Sequence, residues 1–175
     1  MPEGQGREPG LVTTLSPTSL TSSYLQLLGE HRGANAVDRA TDVAVWAASL
    51  AEEIGWLPAD VQRMREAALL HEIEAMFVGA HPIHGELGSI MLGEAVDSEQ
   101  SAWIRWRSEH WDGGGPEGLW GEQIPEGARL LHIATAWVDE RARRDDIAAI
   151  TRCWAAAGLR LWPVGVQALT RLYRD

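Results

Sequence analysis

The sequence contains no lysine, a single cysteine and a single phenylalanine among its 175 residues. With only Cys153, no intrachain disulfide can form. All 15 basic residues are therefore arginines, and the 25 acidic residues leave a formal net charge of −10. A chain this acidic lacks the basic face with which proteins neutralise nucleic-acid phosphates, so we do not expect it to bind DNA or RNA.

Long apolar runs are absent as well. No uninterrupted stretch approaches the roughly 18 residues of a membrane helix, and the polar N-terminus does not resemble a signal peptide. We therefore expect a cytoplasmic protein without membrane association. The polar start, which contains glycine and proline, predicts a flexible tail over residues 1–18 and one domain over residues 19–175.

The hydrophobic pattern is helical nearly throughout, and no stretch alternates as a strand would. It predicts an all-α fold, a single-domain bundle of about seven helices. Apolar residues at three- and four-residue spacing, as at Val37, Ala40, Ala44 and Ala47, mark one buried helical face. The predicted helices include residues 19–31, 37–54, 85–95, 98–110 and 126–144.

Residues 112–125 interrupt this pattern with five glycines and two prolines, so they are predicted to form a loop, ordered if the tryptophans around it are buried. The loop is not a phosphate-binding P-loop, because it lacks the Gly-Lys-Ser/Thr ending and a preceding strand. There is also no Gly-x-Ser-x-Gly elbow. Cys153 lies beside Trp154 and three alanines, which favours packing over a nucleophilic role.

Two groups of residues are candidate metal ligands. His71 and Glu72 follow an apolar helical stripe, and imidazole with carboxylate suits Fe, Mn or Zn. The alternative is a core histidine bonded to a carbonyl. His84 stands near a predicted helix N-terminus, where it is either a ligand or a partly exposed turn residue.

A third group lies between residues 107 and 112 and consists of Arg107, Glu109, His110 and Asp112. These side chains could face a site. The alternative is a solvated helix end with a loop cap.

Taken in their order along the chain, these sequence segments resemble the HD-GYP family, a branch of the HD-type metal-dependent phosphohydrolases. The matching segments are Leu70-His71-Glu72-Ile73, His84 with Gly88 and Met91-Leu92, the loop from Glu109 to Pro125, and Ala128-Arg129-Leu130. The resemblance implies an all-helical fold that holds two or three metal ions, usually iron or manganese. In that family a metal-bound hydroxide hydrolyses cyclic di-GMP.

The chain departs from the family pattern at most of its ligand positions. The resemblance places Arg39, Arg107, Ser108 and Thr135 where the family has metal ligands, Glu72 where it has Asp, and Ala75 where it has Lys. The tyrosine of the family's Gly-Tyr-Pro signature is missing between Gly115 and Pro116. His71, Glu72 and His84 are what is left, so we expect no bridged cluster, and Fe or Mn only if this remnant is occupied.

The resemblance turns Arg39 and Arg107 toward the former metal cavity, where their permanent charges would repel a divalent cation. They could pair with Glu72 or Glu109, since a buried charge needs a partner. They could instead hold a phosphate-bearing ligand. The third alternative is that both are exposed.

Three functions are compatible with these features. The first is an HD-GYP-like domain without hydrolase activity that acts in bacterial signalling as a regulatory or scaffolding module, through a protein partner or self-association. The second is a module that binds cyclic di-GMP or another nucleotide without cleaving it. Its contacts would be Arg39, Arg107, Glu109, His110, Trp111 and Asp112. The third is a residual phosphodiesterase with one metal at His71, Glu72 and His84.

Overall fold

The computed structural model describes residues 17–72 and 96–174, with side chains from residue 21 onward. Within these ranges the chain forms seven α-helices and one 3₁₀-helix, and no strand. This confirms the predicted all-α class. The helices are α1 Pro17–Arg32, α2 Ala34–Glu53, α3 Pro58–Leu70, α4 Ser98–Arg105, α5 Glu126–Arg141, α6 Asp146–Ala156 and α7 Pro163–Arg174, with the 3₁₀-helix at Gly121–Gln123.

Helix α2 is the centre of the bundle and packs against α1, α3, α5 and α7. The face predicted from its sequence spacing is buried, and alanine dominates it. Small side chains allow neighbouring helix axes to approach closely. Its buried residues are Ala40, Val43, Ala44, Ala47, Ala48, Leu50 and Ala51.

Helix α5 forms the facing wall of the core. Its Trp137 is fully buried and meets Trp46 of α2 edge-on, with ring centroids 5.3 Å apart. Near its N-terminus, Gly127 leaves room for the ring of Trp103, since a Cβ at 127 would lie 2.5 Å from that ring. These contacts hold α2, α4 and α5 in the arrangement that positions the site.

Two predicted helices end earlier than expected. The helix predicted over 98–110 ends at Arg105, and the one predicted over 126–144 ends at Arg141. In the first case Trp106 has left helical geometry, with φ −97° and ψ 12°, and the Arg107 guanidinium donates to the Ile104 carbonyl at 2.8 Å. The chain can then turn Glu109 into the following loop.

The loop after α4 is held by backbone hydrogen bonds, and its Trp111 is partly buried. Trp111 and Asp112 donate their backbone N–H groups to the carbonyls of Arg160 and Leu159, at 3.1 and 2.8 Å. Gly121 donates to the Trp111 carbonyl at 2.9 Å. The loop is thereby fixed to the turn between α6 and α7.

The helix predicted over 85–95 lies outside the described residues, and the boundary between tail and domain stays a prediction. Among the described residues, no helix has the length and apolar character needed to cross a membrane.

Candidate functional site

Arg39 lies at the centre of a charged cluster where α2, the end of α3 and α5 meet. Its Nε and Nη2 donate to both carboxylate oxygens of Asp139, at 2.8 and 3.0 Å. Its Nη1 donates to Glu72 Oε1. All three side chains are partly buried. One guanidinium therefore binds two carboxylates from two different parts of the bundle.

His71 follows the last turn of α3 and is buried. Its Nδ1 lies 2.5 Å from the Ala68 carbonyl oxygen, as in a core histidine bonded to a carbonyl. Its Nε2 lies 3.5 Å from Glu72 Oε1 and has no hydrogen-bond partner among the described residues. The hydrogen bond to the Ala68 carbonyl orients Nε2 toward the Glu72 carboxylate. A role for His71 as a metal ligand stays a prediction.

The charges around Glu72 keep it ionised. Burial alone would raise the pKa of its carboxyl group, but the adjacent His71 ring and the guanidiniums of Arg39 and Arg107 lower that pKa to about 2. Tyr24 packs nearby with a buried hydroxyl that has no hydrogen-bond partner. Burial, together with the negative charge of Glu72, raises the pKa of the Tyr24 hydroxyl, which therefore stays protonated.

The described residues do not fit a divalent metal ion. His71 Nε2 is a suitable donor, but Glu72 is already bonded to Arg39, and the Arg107 charge acts on the same carboxylate. No group of three or more His, Cys, Asp or Glu side chains comes together to hold a metal within residues 17–72 and 96–174. His84 lies outside the described residues.

A cavity of about 310 Å³ is lined by residues from α5, from the segment after α4 and from the turn before α7. The lining residues are Arg107, Ser108, His110, His132, Thr135 and Arg160. Arg107 connects the two regions, because its charge influences the pKa of Glu72 and that of His132. The cavity therefore contains Arg107, Ser108 and Thr135, three of the positions where the resemblance expects metal ligands.

His132 is held in its neutral form. Its Nδ1 lies 3.0 Å from the Glu109 carbonyl oxygen, and its ring stacks against His110 with centroids 6.0 Å apart. Burial lowers the pKa of His132 most strongly, and the nearby Arg160, His110 and Arg107 lower it further, to about 4. The guanidiniums of Arg160 and Arg107 therefore lie near enough to His132 to act on its charge.

The Glu109 carboxylate fixes the loop. It is buried and accepts the backbone N–H groups of Glu117 at 2.6 Å and Leu119 at 2.9 Å. Asp112 likewise bonds within the loop and accepts the Gly114 N–H at 2.9 Å. Both carboxylates are therefore used to shape the loop, and neither lines the cavity.

Trp111 belongs to a stack beneath the loop. Its ring packs on Trp162 with centroids 6.4 Å apart, and the Arg129 guanidinium lies over both rings, 4.5 Å from the Trp162 centroid and 5.7 Å from the Trp111 centroid. The structure therefore brings His110 and Arg107 to the cavity and uses Glu109, Trp111 and Asp112 to build its surroundings.

Three residues of the site were missed from the sequence: Asp139, His132 and Arg160. The first two could have been found, because His132, Thr135 and Asp139 follow one another at spacings of three and four and share one face of α5. Arg160 carried no such signal, since it reaches the cavity from an irregular turn.

The comparisons with known proteins agree with this architecture. The family model "HD domain" matches residues 20–161. No curated protein sequence matches the chain. Among solved structures, a cyclic GMP-AMP-specific phosphodiesterase of V. cholerae (V-cGAP3) matches with a TM-score of 0.76 and 15% identity, over 89% of this chain and 48% of that chain.

An HDG"Y"P protein from Bdellovibrio bacteriovorus, Bd1817, matches with a TM-score of 0.69 and 15% identity. That match covers 91% of this chain and 62% of the other. At this identity the likeness concerns the fold. The chain therefore spans about half to three fifths of the length of these two proteins.

Proposed function

Because the chain belongs to the HD domain family while a guanidinium binds its remaining site carboxylates, we propose that it is a catalytically inactive HD domain. In this proposal it acts in bacterial signalling as a regulatory or scaffolding module, through contacts with a protein partner or with a second copy of itself. The fold is kept, and the metal chemistry of the family is not.

The observation that carries this proposal is the position of Arg39. A metal site of this kind needs carboxylates that are available to neutralise the cation, yet Arg39 bonds to both Glu72 and Asp139. A guanidinium cannot lose its proton in the physiological range, so it cannot give way to a metal as a lysine could. The salt-bridged cluster is complete in itself.

Exposed apolar side chains support a role in protein contacts. Ile147 and Trp154 are 71% and 42% exposed and lie two turns apart on α6, where a seven-residue spacing places them on one face. Leu159 and Val164, in the turn after α6 and at the start of α7, are also exposed. Apolar side chains grouped in this way are typical of interaction sites.

The second candidate function is binding of cyclic di-GMP or another nucleotide without hydrolysis. One observation favours it, namely the cavity that contains Arg107 and Arg160 and is not lined by any carboxylate among the described residues. Arginine binds phosphate oxygens through two parallel N–H groups, so it can replace a metal as the phosphate-binding element.

The decisive experiment is elemental analysis of the full chain expressed with iron and manganese supplied, followed by incubation with cyclic di-GMP and with cyclic GMP-AMP. We expect far less than one metal ion per chain and no turnover of either nucleotide. His71→Ala is the matched control, because any metal that stays after this change is not bound at the family position.

A near-stoichiometric metal content that His71→Ala removes, together with turnover of a cyclic dinucleotide, would contradict the proposal. If the protein bound metal but did not hydrolyse either nucleotide, the claim that the salt-bridged site excludes a metal would be wrong, while the claim of inactivity would stand. Both measurements use the same preparation, so the two outcomes are separable.

A further inference from the structure

The cavity lined by Arg107 and Arg160 has an unusual lining for so acidic a protein. Among the described residues, its lining consists of two arginines, two histidines and two hydroxyl side chains, and none of these is acidic. The chain as a whole carries 25 acidic residues against 15 arginines. Guanidinium groups that collect in a concave site are suited to binding an anion.

Arg160 is the most telling of these residues. Arg39, Arg63 and Arg105 are each paired with carboxylates, whereas the Arg160 guanidinium has no carboxylate partner in the described part of the chain. Its backbone is nevertheless fixed, because its carbonyl accepts the Trp111 N–H at 3.1 Å. The Arg160 side chain is exposed and lines the cavity, so its guanidinium is accessible to an anion from solution.

We propose that this cavity binds the phosphate group of a small molecule directly, through Arg160, Arg107 and the His110 ring, without a metal ion. The inference rests on the metal-free site of the proposed function and names the chemistry that the site recognises. Ser108 adds a hydroxyl donor at the rim. A volume of about 310 Å³ lies at the lower end of small-molecule sites, so it accommodates one phosphate group with a small substituent.

The surroundings support an anion rather than a cation. Burial lowers the pKa of the neighbouring His132 most strongly, and the charges of Arg160 and Arg107 act on it in the same direction. His132 stays neutral there, and its Nδ1 is engaged with the Glu109 carbonyl. His132 is therefore held in place by the same residue, Glu109, that anchors the following loop.

The test is isothermal titration calorimetry of the full chain with inorganic phosphate as the probe, at constant ionic strength and after treatment with a chelator. We expect measurable binding that Arg160→Gln weakens about tenfold or more, since a charged hydrogen-bonding group is removed. Arg107→Gln should weaken it similarly. Arg152→Gln is the matched control, because Arg152 is an exposed arginine of α6 that does not line the cavity.

Competition with cyclic di-GMP distinguishes a free phosphate from a nucleotide phosphate. Displacement of inorganic phosphate by the dinucleotide assigns the cavity to a nucleotide, and lack of displacement assigns it to a smaller phosphate compound. Thermal melts of each variant, followed by circular dichroism, establish that the fold is intact.

Three results would overturn the inference. The first is the absence of phosphate binding, and the second is an equal loss of phosphate affinity in Arg160→Gln and Arg152→Gln. The third is phosphate binding that the chelator abolishes. The last result would assign the phosphate to a bound metal and contradict the proposed function as well. The first two would leave the proposed function standing.

Discussion

At the scale of single residues, Arg39 is the change with the largest chemical consequence. Two carboxylates on different segments need a cation between them, because isolated buried charges are strongly unfavourable. Where the resemblance expects a histidine at this position, the chain has a guanidinium bonded to Glu72 and Asp139. The arginine supplies the neutralising charge from within the chain, so the cluster needs no external ion.

Arg39→Met should lower the free energy of unfolding by about 1–3 kcal/mol. The substitution keeps much of the side-chain length but leaves Glu72 and Asp139 partly buried without a cation. Urea denaturation followed by circular dichroism measures the change.

The control is Arg144→Met, which breaks a pair with Glu140 just beyond the end of α5. Such surface pairs contribute about 0–1 kcal/mol, so this variant should be nearly as stable as the original chain. If both variants lost the same free energy of unfolding, the Arg39 cluster would stabilise the fold no more than a surface ion pair does.

Part of this cluster could be predicted from the sequence. Pairing of Arg39 with Glu72 is one of the alternatives that the sequence leaves open, because a buried guanidinium needs a carboxylate. The other carboxylate that the sequence offered to Arg39 was Glu109. In the structure Glu109 accepts two backbone N–H groups of the loop. Nothing in local spacing distinguishes a carboxylate that binds a side chain from one that binds a distant stretch of backbone.

At the scale of elements, the glycine-rich loop is the part built most tightly. Gly115 has no space for a side chain, because a Cβ there would lie 2.6 Å from the His110 backbone nitrogen and 2.7 Å from Glu109 Oε2. The glycine thus allows the loop to close over the Glu109 carboxylate.

Gly115→Ala should therefore displace Glu109 and destabilise the chain by about 1–3 kcal/mol, with faster hydrogen exchange at the Glu117 and Leu119 amides. Gly114→Ala is the control, since its Cβ would meet only side-chain atoms, the nearest 3.2 Å away. Hydrogen exchange measured by NMR reports on both. Unchanged protection in Gly115→Ala would show that Glu109 does not fix the loop.

Helix positions followed from sequence more readily than helix ends. The buried face of α2 could be read from three- and four-residue spacing, because burial of one stripe creates that period. The end of α4 could not, since it depends on Arg107 bonding the Ile104 carbonyl and on Glu109 turning into the loop. Those contacts depend on how the loop folds back, and the hydrophobic pattern does not encode them.

At the scale of the whole molecule, Cys153 reports on global unfolding. Its side chain is buried, and burial raises the pKa of the thiol to about 11. The thiolate is the reactive form, so a thiol-specific reagent in mildly alkaline buffer should modify Cys153 only when the core opens. The modification rate should follow the urea unfolding curve, and rapid reaction in the native state would contradict the burial of Cys153.

The whole molecule should also lose stability in mild acid because of His132. Its pKa is about 4 when folded, against an ordinary value of 6.5 when unfolded. Between pH 6.5 and 4 the unfolded chain therefore takes up a proton that the folded chain excludes. The free energy of unfolding falls as pH falls through this window, by roughly 1–3 kcal/mol from this residue, and levels off below it.

His132→Asn separates this contribution from those of other titrating groups, since asparagine keeps an N–H donor for the Glu109 carbonyl but does not titrate. We expect the difference in unfolding free energy between the original chain and the variant to shrink steadily as the pH falls from neutral to about 4. Phosphate should reduce this dependence, because an anion in the cavity favours the protonated ring. A difference that stays constant with pH would mean that His132 is protonated as easily in the fold as in water, which the positive surroundings of Arg107 and Arg160 argue against.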